Sequence, residues 1–198
     1  MAGVKLAKRE IVYILVIAVL AVSLTFTYFQ DIIVSGSQEK AVNNVENVYS
    51  MLTESEVEIL SVTDAGFLYK ILLRLKLPGG DALREVYVTK DGKYFSESGN
   101  VMDVSGTMER LSREKDFAEC LRAKGFLVFG QKSEPNTVQQ LLVIGNYANK
   151  VYVDCVGANL QACQQLGIKT IPTIVYNRMN YTGVKTRQWI ETLTGCKY

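Results

Sequence analysis

Gly125-Phe126-Leu127-Val128-Phe129-Gly130-Gln131-Lys132-Ser133-Glu134-Pro135-Asn136-Thr137-Val138-Gln139-Gln140 decides the reading of the C-terminal half. A short apolar run between two glycines has the length of a buried strand. Proline suits the first helical position, where its missing N–H is not needed, and Glu134 before it faces the positive end of the helix dipole. The stretch therefore predicts a strand over 126–129 and a helix over 135–147. Outward from it the chain alternates. A helix over 116–124 comes before; strand 151–154, helix 160–166 and strand 173–176 come after. A hairpin partner over 180–184 and a closing helix over 186–193 finish the chain. Strand–helix alternation with short connections, ending in an antiparallel hairpin, predicts a compact α/β sheet over residues 115–198.

Upstream the pattern differs. Ala41, Val45, Val48 and Leu52 recur at helical spacing, with Glu39, Lys40, Asn43, Asn44 and Glu46 between them, which predicts an amphipathic helix. From Val57 the period becomes two. Tyr69, Ile71, Leu73, Leu75 and Leu77 share one face of a strand whose other face carries Lys70, Arg74 and Lys76. Pro78-Gly79-Gly80-Asp81 turns the chain, Glu85–Thr89 is a further strand, and Asp91-Gly92 is a hairpin signal into Tyr94-Phe95. One helix and about four strands make a small α+β unit over 37–104. Polar Ser105–Lys115 reads as the linker between the units.

Ile11 to Phe29 is an apolar stretch of 19 residues without charge or proline. As a helix it reaches roughly 28 Å, close to the hydrocarbon thickness of a bilayer. A buried core helix and a cleavable signal peptide are the competing readings. The stretch exceeds the usual leader core and offers no small-residue cleavage site. The expectation is a retained signal anchor: a basic cytoplasmic flank (1–10), a transmembrane helix (11–29), and everything after it extracytoplasmic, because Lys5, Lys8 and Arg9 precede the span. The formal charge of +2 belongs mostly to that flank. Setting aside the three bases and one acid of residues 1–29 leaves 19 Lys+Arg against 19 Asp+Glu. A neutral remainder without a basic run argues against nucleic acid as a partner. The chain has no histidine, which removes Ser-His and Cys-His catalysis.

The run from Gly125 to Gly130 through Gln140 and Gly145 resembles the active-site strand and helix of thioredoxin-like domains fused to bacterial vitamin K epoxide reductase homologues. In that family the strand leads into a Trp-Cys-Pro-x-Cys motif. Here Pro135 matches the family proline, while Glu134 and Thr137 stand in the two cysteine places, with Asn136 between them. Tyr152-Val153-Asp154-Cys155, Cys163 and Gly167-Ile168-Lys169-Thr170-Ile171-Pro172-Thr173 are similar to the family's second strand, third helix and cis-proline loop. The resemblance implies a thioredoxin-like α/β domain and a cis Ile171–Pro172 bond beside Thr173. The Val86–Lys93 stretch is more loosely similar to the small sheet domains that precede such folds in disulfide isomerases.

Thiol–disulfide exchange needs a thiolate at the helix start and a second thiol to resolve the mixed disulfide. Glu134 and Thr137 supply neither, so no catalytic residue, cofactor or metal is assigned. Two readings of the substituted site stay open: a structural remnant, or a rim that holds a partner peptide near Pro172. All four cysteines lie in the last 80 residues. Cys155 and Cys163 are placed for a structural staple, worth on the order of 2–3 kcal/mol for so short a loop. The alternative makes them a relocated redox pair. Cys120 and Cys196 form a second possible pair, although the family fold puts the first and last helices on opposite sheet faces. Asn180-Tyr181-Thr182 is a glycosylation sequon. Trp189, Ile190, Leu193, Tyr147, Tyr152 and Tyr176 read as packing residues. The expected function is a membrane-anchored, redox-inactive scaffold that binds a protein partner or joins a membrane complex, with self-association through residues 37–104 as a further possibility. The alternative is an accessory enzyme exchanging disulfides through Cys155 and Cys163.

Overall fold

The period-two pattern of Leu68–Leu77 organises the first unit of the chain. In the computed structural model, which describes residues 37–198 together with Val19, Leu20 and Ser23, this strand lies next to the edge of a five-stranded antiparallel meander. The strands are β1 (Val57–Ala65), β2 (Leu68–Leu77), β3 (Gly80–Thr89), β4 (Tyr94–Glu97) and β5 (Asn100–Asp103), hydrogen-bonded in that order. Tyr69, Ile71, Leu73 and Leu75 are buried, as are Val86, Val88 and Phe95. The register sets Lys70 opposite Tyr87, Leu72 opposite Glu85 and Arg74 opposite Leu83 on the other face. Lys70–Glu85 at 2.6 Å and Arg74–Glu58 at 2.9 Å cross that outer face. Such exposed ion pairs contribute little stability, but they keep the face soluble.

Helix α1 (37–53) buries Ala41, Val45, Val48 and Tyr49. Tyr49 meets Phe95 edge-on at 6.5 Å, and its hydroxyl donates to Glu97 at 2.6 Å. Burial, then the bond to Glu97, raises the Tyr49 pKa. The Asp91-Gly92 turn fits against this helix. Gly92 has φ +72°, and a Cβ there would stand 2.9 Å from Asn44 Nδ2 and 3.4 Å from the Ala41 Cα. Asn44 Nδ2 donates to the Gly92 carbonyl at 2.9 Å.

The chain divides into two compact units, one ending at Val104 and the other comprising Met51–Glu54 with Ser105–Tyr198. The second holds α2 (Val104–Ala123, from Ser105 on), β6 (Leu127–Gly130), α3 (Pro135–Ile144), β7 (Tyr152–Asp154), α4 (Leu160–Gln165), β8 (Thr173–Tyr176), β9 (Met179–Thr182) and α5 (Arg187–Thr194). Its sheet runs in the order β7-β6-β8-β9, with β7 parallel to β6 and the other two pairings antiparallel. Leu111, Phe117, Leu121, Phe126, Val128, Ile144, Tyr147, Ile174 and Ile190 form its main core.

Four expectations are corrected. Ser105–Lys115 is not a linker but the first half of α2. The small sheet has a fifth strand, β5, and β3 begins at Gly80 instead of Glu85. The expected class, a thioredoxin-like domain and an α+β unit behind a transmembrane helix, gives way to a sheet-rich α/β fold. No helix among the described residues is long and apolar enough to cross a membrane. The segment behind the membrane and signal-anchor reading, Ile11–Phe29, lies outside the described residues apart from Val19, Leu20 and Ser23.

The two faces of the small sheet give a paired test. Leu73→Ala, on the buried face, should cost about 2–5 kcal/mol in urea unfolding. Leu83→Ala, on the face that is 56% exposed at that residue, should stay within about 0.5 kcal/mol of the parent. Equal losses would mean the strand faces are assigned wrongly.

Candidate functional site

The start of α3 is where the sequence placed its substituted motif. Glu134 is the N-cap residue, and both of its carboxylate oxygens serve the helix. Oε1 accepts from the Asn136 N–H at 3.1 Å and from Asn136 Nδ2 at 2.9 Å. Oε2 accepts from the Thr137 N–H at 2.6 Å and its hydroxyl at 2.9 Å. Partial desolvation opposes ionisation here, but the four donors outweigh it and hold the Glu134 pKa below the ordinary carboxylate value. Thr137 is fully buried. A Cβ on Gly130 would come within 2.5 Å of the Thr137 methyl, so the bare backbone at the end of β6 is what admits this side chain. Phe129 pairs with Thr173, so the loop containing the cis Ile171–Pro172 bond enters the sheet beside the same strand. Thr173 is buried and donates to the Thr170 carbonyl.

Gln140 is buried one turn further along. Its Oε1 accepts from the Lys185 N–H at 2.6 Å, while Nε2 has no protein partner. The side chain fixes the approach to α5, as does Arg187, which donates twice to the Val143 carbonyl at 3.0 and 2.9 Å.

No thiol is available at either end of the sheet. Cys155–Cys163 and Cys120–Cys196 are both disulfides, and the described chain has no free cysteine. Cys155 and Cys163 are buried with Phe129 among Leu127, Val153, Ile168 and Val175. Cys196 reaches Cys120 because Gly195, at φ +70°, ends α5 and turns the tail onto α2. Tyr198 then packs edge-on to Phe117 at 5.9 Å, with the Arg187 guanidinium over its ring at 3.5 Å. Asn180 is exposed on β9, opposite Val175. Among the described residues no cluster of His, Cys, Asp and Glu side chains suits a metal ion.

Sequence reasoning missed the residue that ties these parts together. Glu114, on α2, is only 4% exposed. Its carboxylate accepts from the Asn146 N–H at 2.8 Å and Asn146 Nδ2 at 2.6 Å, from Arg110 at 2.9 Å and from the Tyr198 hydroxyl at 3.2 Å. Gly145 makes room for it, since a Cβ there would lie 2.7 Å from the carboxyl carbon. Burial alone would raise the Glu114 pKa, but the donors from Asn146 and Arg110 outweigh it and lower it. The missed signal is spacing: Leu111, Glu114, Ala118 and Leu121 lie on one helical stripe.

Beside this junction is a groove of about 660 Å³, bounded by α2, α3, the turn after α3 and Tyr152 of β7. Tyr152 donates to Asp154 at 3.1 Å and to the Gly130 carbonyl at 3.2 Å; burial, then Asp154, raises its pKa to about 12. No protein-family model matches the chain, and no curated protein matches it.

Glu114→Gln should lower stability at neutral pH by roughly 1–3 kcal/mol, because it turns an acceptor of several buried donors into an amide. The native carboxyl is shifted down, so its contribution is full above the ordinary value of 4.5 and is lost as pH falls through the native value. Urea titrations should therefore show the gap between parent and variant closing on acidification. A gap that is constant with pH would rule out ionised Glu114 as its source.

Proposed function

We propose that the chain is a non-catalytic, partner-binding protein whose second unit carries no redox-active thiol. The observation that carries this reading is the α3 start. Where an attacking thiolate would have to stand, Glu134 caps the helix with both oxygens and Thr137 is packed out of reach of solvent. Two disulfides favour an oxidising compartment outside the cytoplasm. The role is that of a scaffold or subunit in a larger assembly, and self-association through residues 37–104 belongs to the same proposal.

The competing reading makes Cys155 and Cys163 an exchanging pair. Exchange requires a thiolate to reach a sulfur along its S–S axis. Both cysteines are nearly fully buried, 4% and 2% exposed, in an apolar cluster, which disfavours that route.

Insulin reduction distinguishes the two. The wild-type chain should show no turnover above a blank. Glu134→Cys with Thr137→Cys places thiols at the N-terminus of α3, where the dipole lowers a thiol pKa. That double variant should form a reducible disulfide and gain measurable activity. Wild-type turnover equal to the double variant's would overturn the non-catalytic reading and point to Cys155 and Cys163.

A further inference from the structure

The groove along α3 has properties that the fold does not require. Val138, Leu141 and Leu142 form its apolar wall, and Leu142 is 72% exposed and Val138 39% exposed. Exposed aliphatic side chains beside a concavity mark recognition surfaces more often than isolated ones do. α3 is about 15 Å long, enough to lie beside four or five residues of an extended strand.

The charges at its two ends are unequal to their local partners. Lys132, before the N-terminal end of α3, makes no ion pair among the described residues and lies 5.5 Å from the centre of the Tyr152 ring. Arg110, near the C-terminal end, spends one guanidinium nitrogen on Glu114. Glu114 is also held by Asn146 and Tyr198, so it does not need Arg110 alone. The lining thus carries two cations against one carboxylate that is already satisfied. Asp154, the acid of β7, bonds Tyr152 and does not line the groove.

We propose that this groove docks an extended segment of a partner protein in which an apolar side chain adjoins acidic residues. The proposal rests on reading the chain as a binding protein, and it names the surface and the chemistry of its partner. The apolar side chain covers Val138 and Leu142, and the carboxylates meet Lys132 and the free edge of Arg110. A protein segment fits better than a small ligand. Sites for small molecules bury most of the ligand surface, whereas the ridge bounding this groove stays open to water.

The test uses the full chain, purified without reductant, as bait for a phage-displayed library of random 12-residue peptides. Enriched sequences should pair Leu, Ile or Phe with Asp or Glu. The synthetic consensus peptide should bind at least tenfold more weakly to Leu142→Asp and to Lys132→Glu, and more weakly as salt is raised. Both substitutions are at exposed positions, and thermal melts matching the parent verify the fold. A basic or purely polar consensus, undiminished binding to both variants, or no enrichment over a blank surface would overturn the proposal. Binding of dodecanoate that depends on Leu142 and Lys132, with no peptide enriched, would assign the groove to a small amphiphile and overturn it equally. Insulin turnover separates the two claims: an inactive chain with no enriched peptide loses only the groove, and an active chain with a groove-dependent peptide loses only the non-catalytic reading.

Discussion

The second unit depends on one buried carboxylate. Glu114 joins three parts of the chain distant in sequence: its own helix, the backbone just after α3, and the C-terminal tyrosine. A charge removed from water is tolerated only where donors replace its hydration. Here they come from the Asn146 main chain and side chain, from Arg110 and from Tyr198. Gly145 is constrained by the same arrangement, since any Cβ would intrude on the carboxylate. The tail, in turn, reaches Glu114 by way of Gly195, the Cys120–Cys196 bridge and the packing of Tyr198 against Phe117 and Arg187.

The same economy governs the start of α3. A helix N-terminus offers unpaired N–H groups and a positive dipole end, and an enzyme can aim both at a thiolate. In this chain they are satisfied internally. Glu134 accepts from the first turn, and Thr137 fills the space above Gly130. The flank of α3, in contrast to its tip, leaves Leu142 and Val138 exposed.

Much of the fold was legible because its apolar periods are clean. Tyr69, Ile71, Leu73 and Leu75 alternate with an outer face on which only Leu72 is apolar between Lys70 and Lys76, and the Asp91-Gly92 turn carries its own chemistry. The strand at 173–176 and the helix start at Pro135 were equally open to reading. α2 was legible only from Asp116 on, and the reason is Glu114. With a charged residue on the inward stripe between Leu111 and Ala118, and only Val104 buried before them, the first half of the helix reads as polar linker. Strand β5 was hidden for the opposite reason: Asn100-Val101-Met102-Asp103 buries so little that alternation is too short to see. The pairing of Cys120 with Cys196 depends on the left-handed turn at Gly195, which no spacing rule supplies. The groove was invisible because its cations and its apolar wall come from two separate helices and the turn between β6 and α3. Tyr152 appeared from sequence only as packing.

The described cysteines are structural staples, and none of them is a free thiol. The most direct measurement is alkylation under denaturing conditions of protein purified without reductant, followed by peptide mapping. No label is expected before reduction, with Cys120 linked to Cys196 and Cys155 linked to Cys163, and four labelled cysteines after reduction. Labelling of Cys155 and Cys163 without reduction, or a bridge joining members of different pairs, would contradict it.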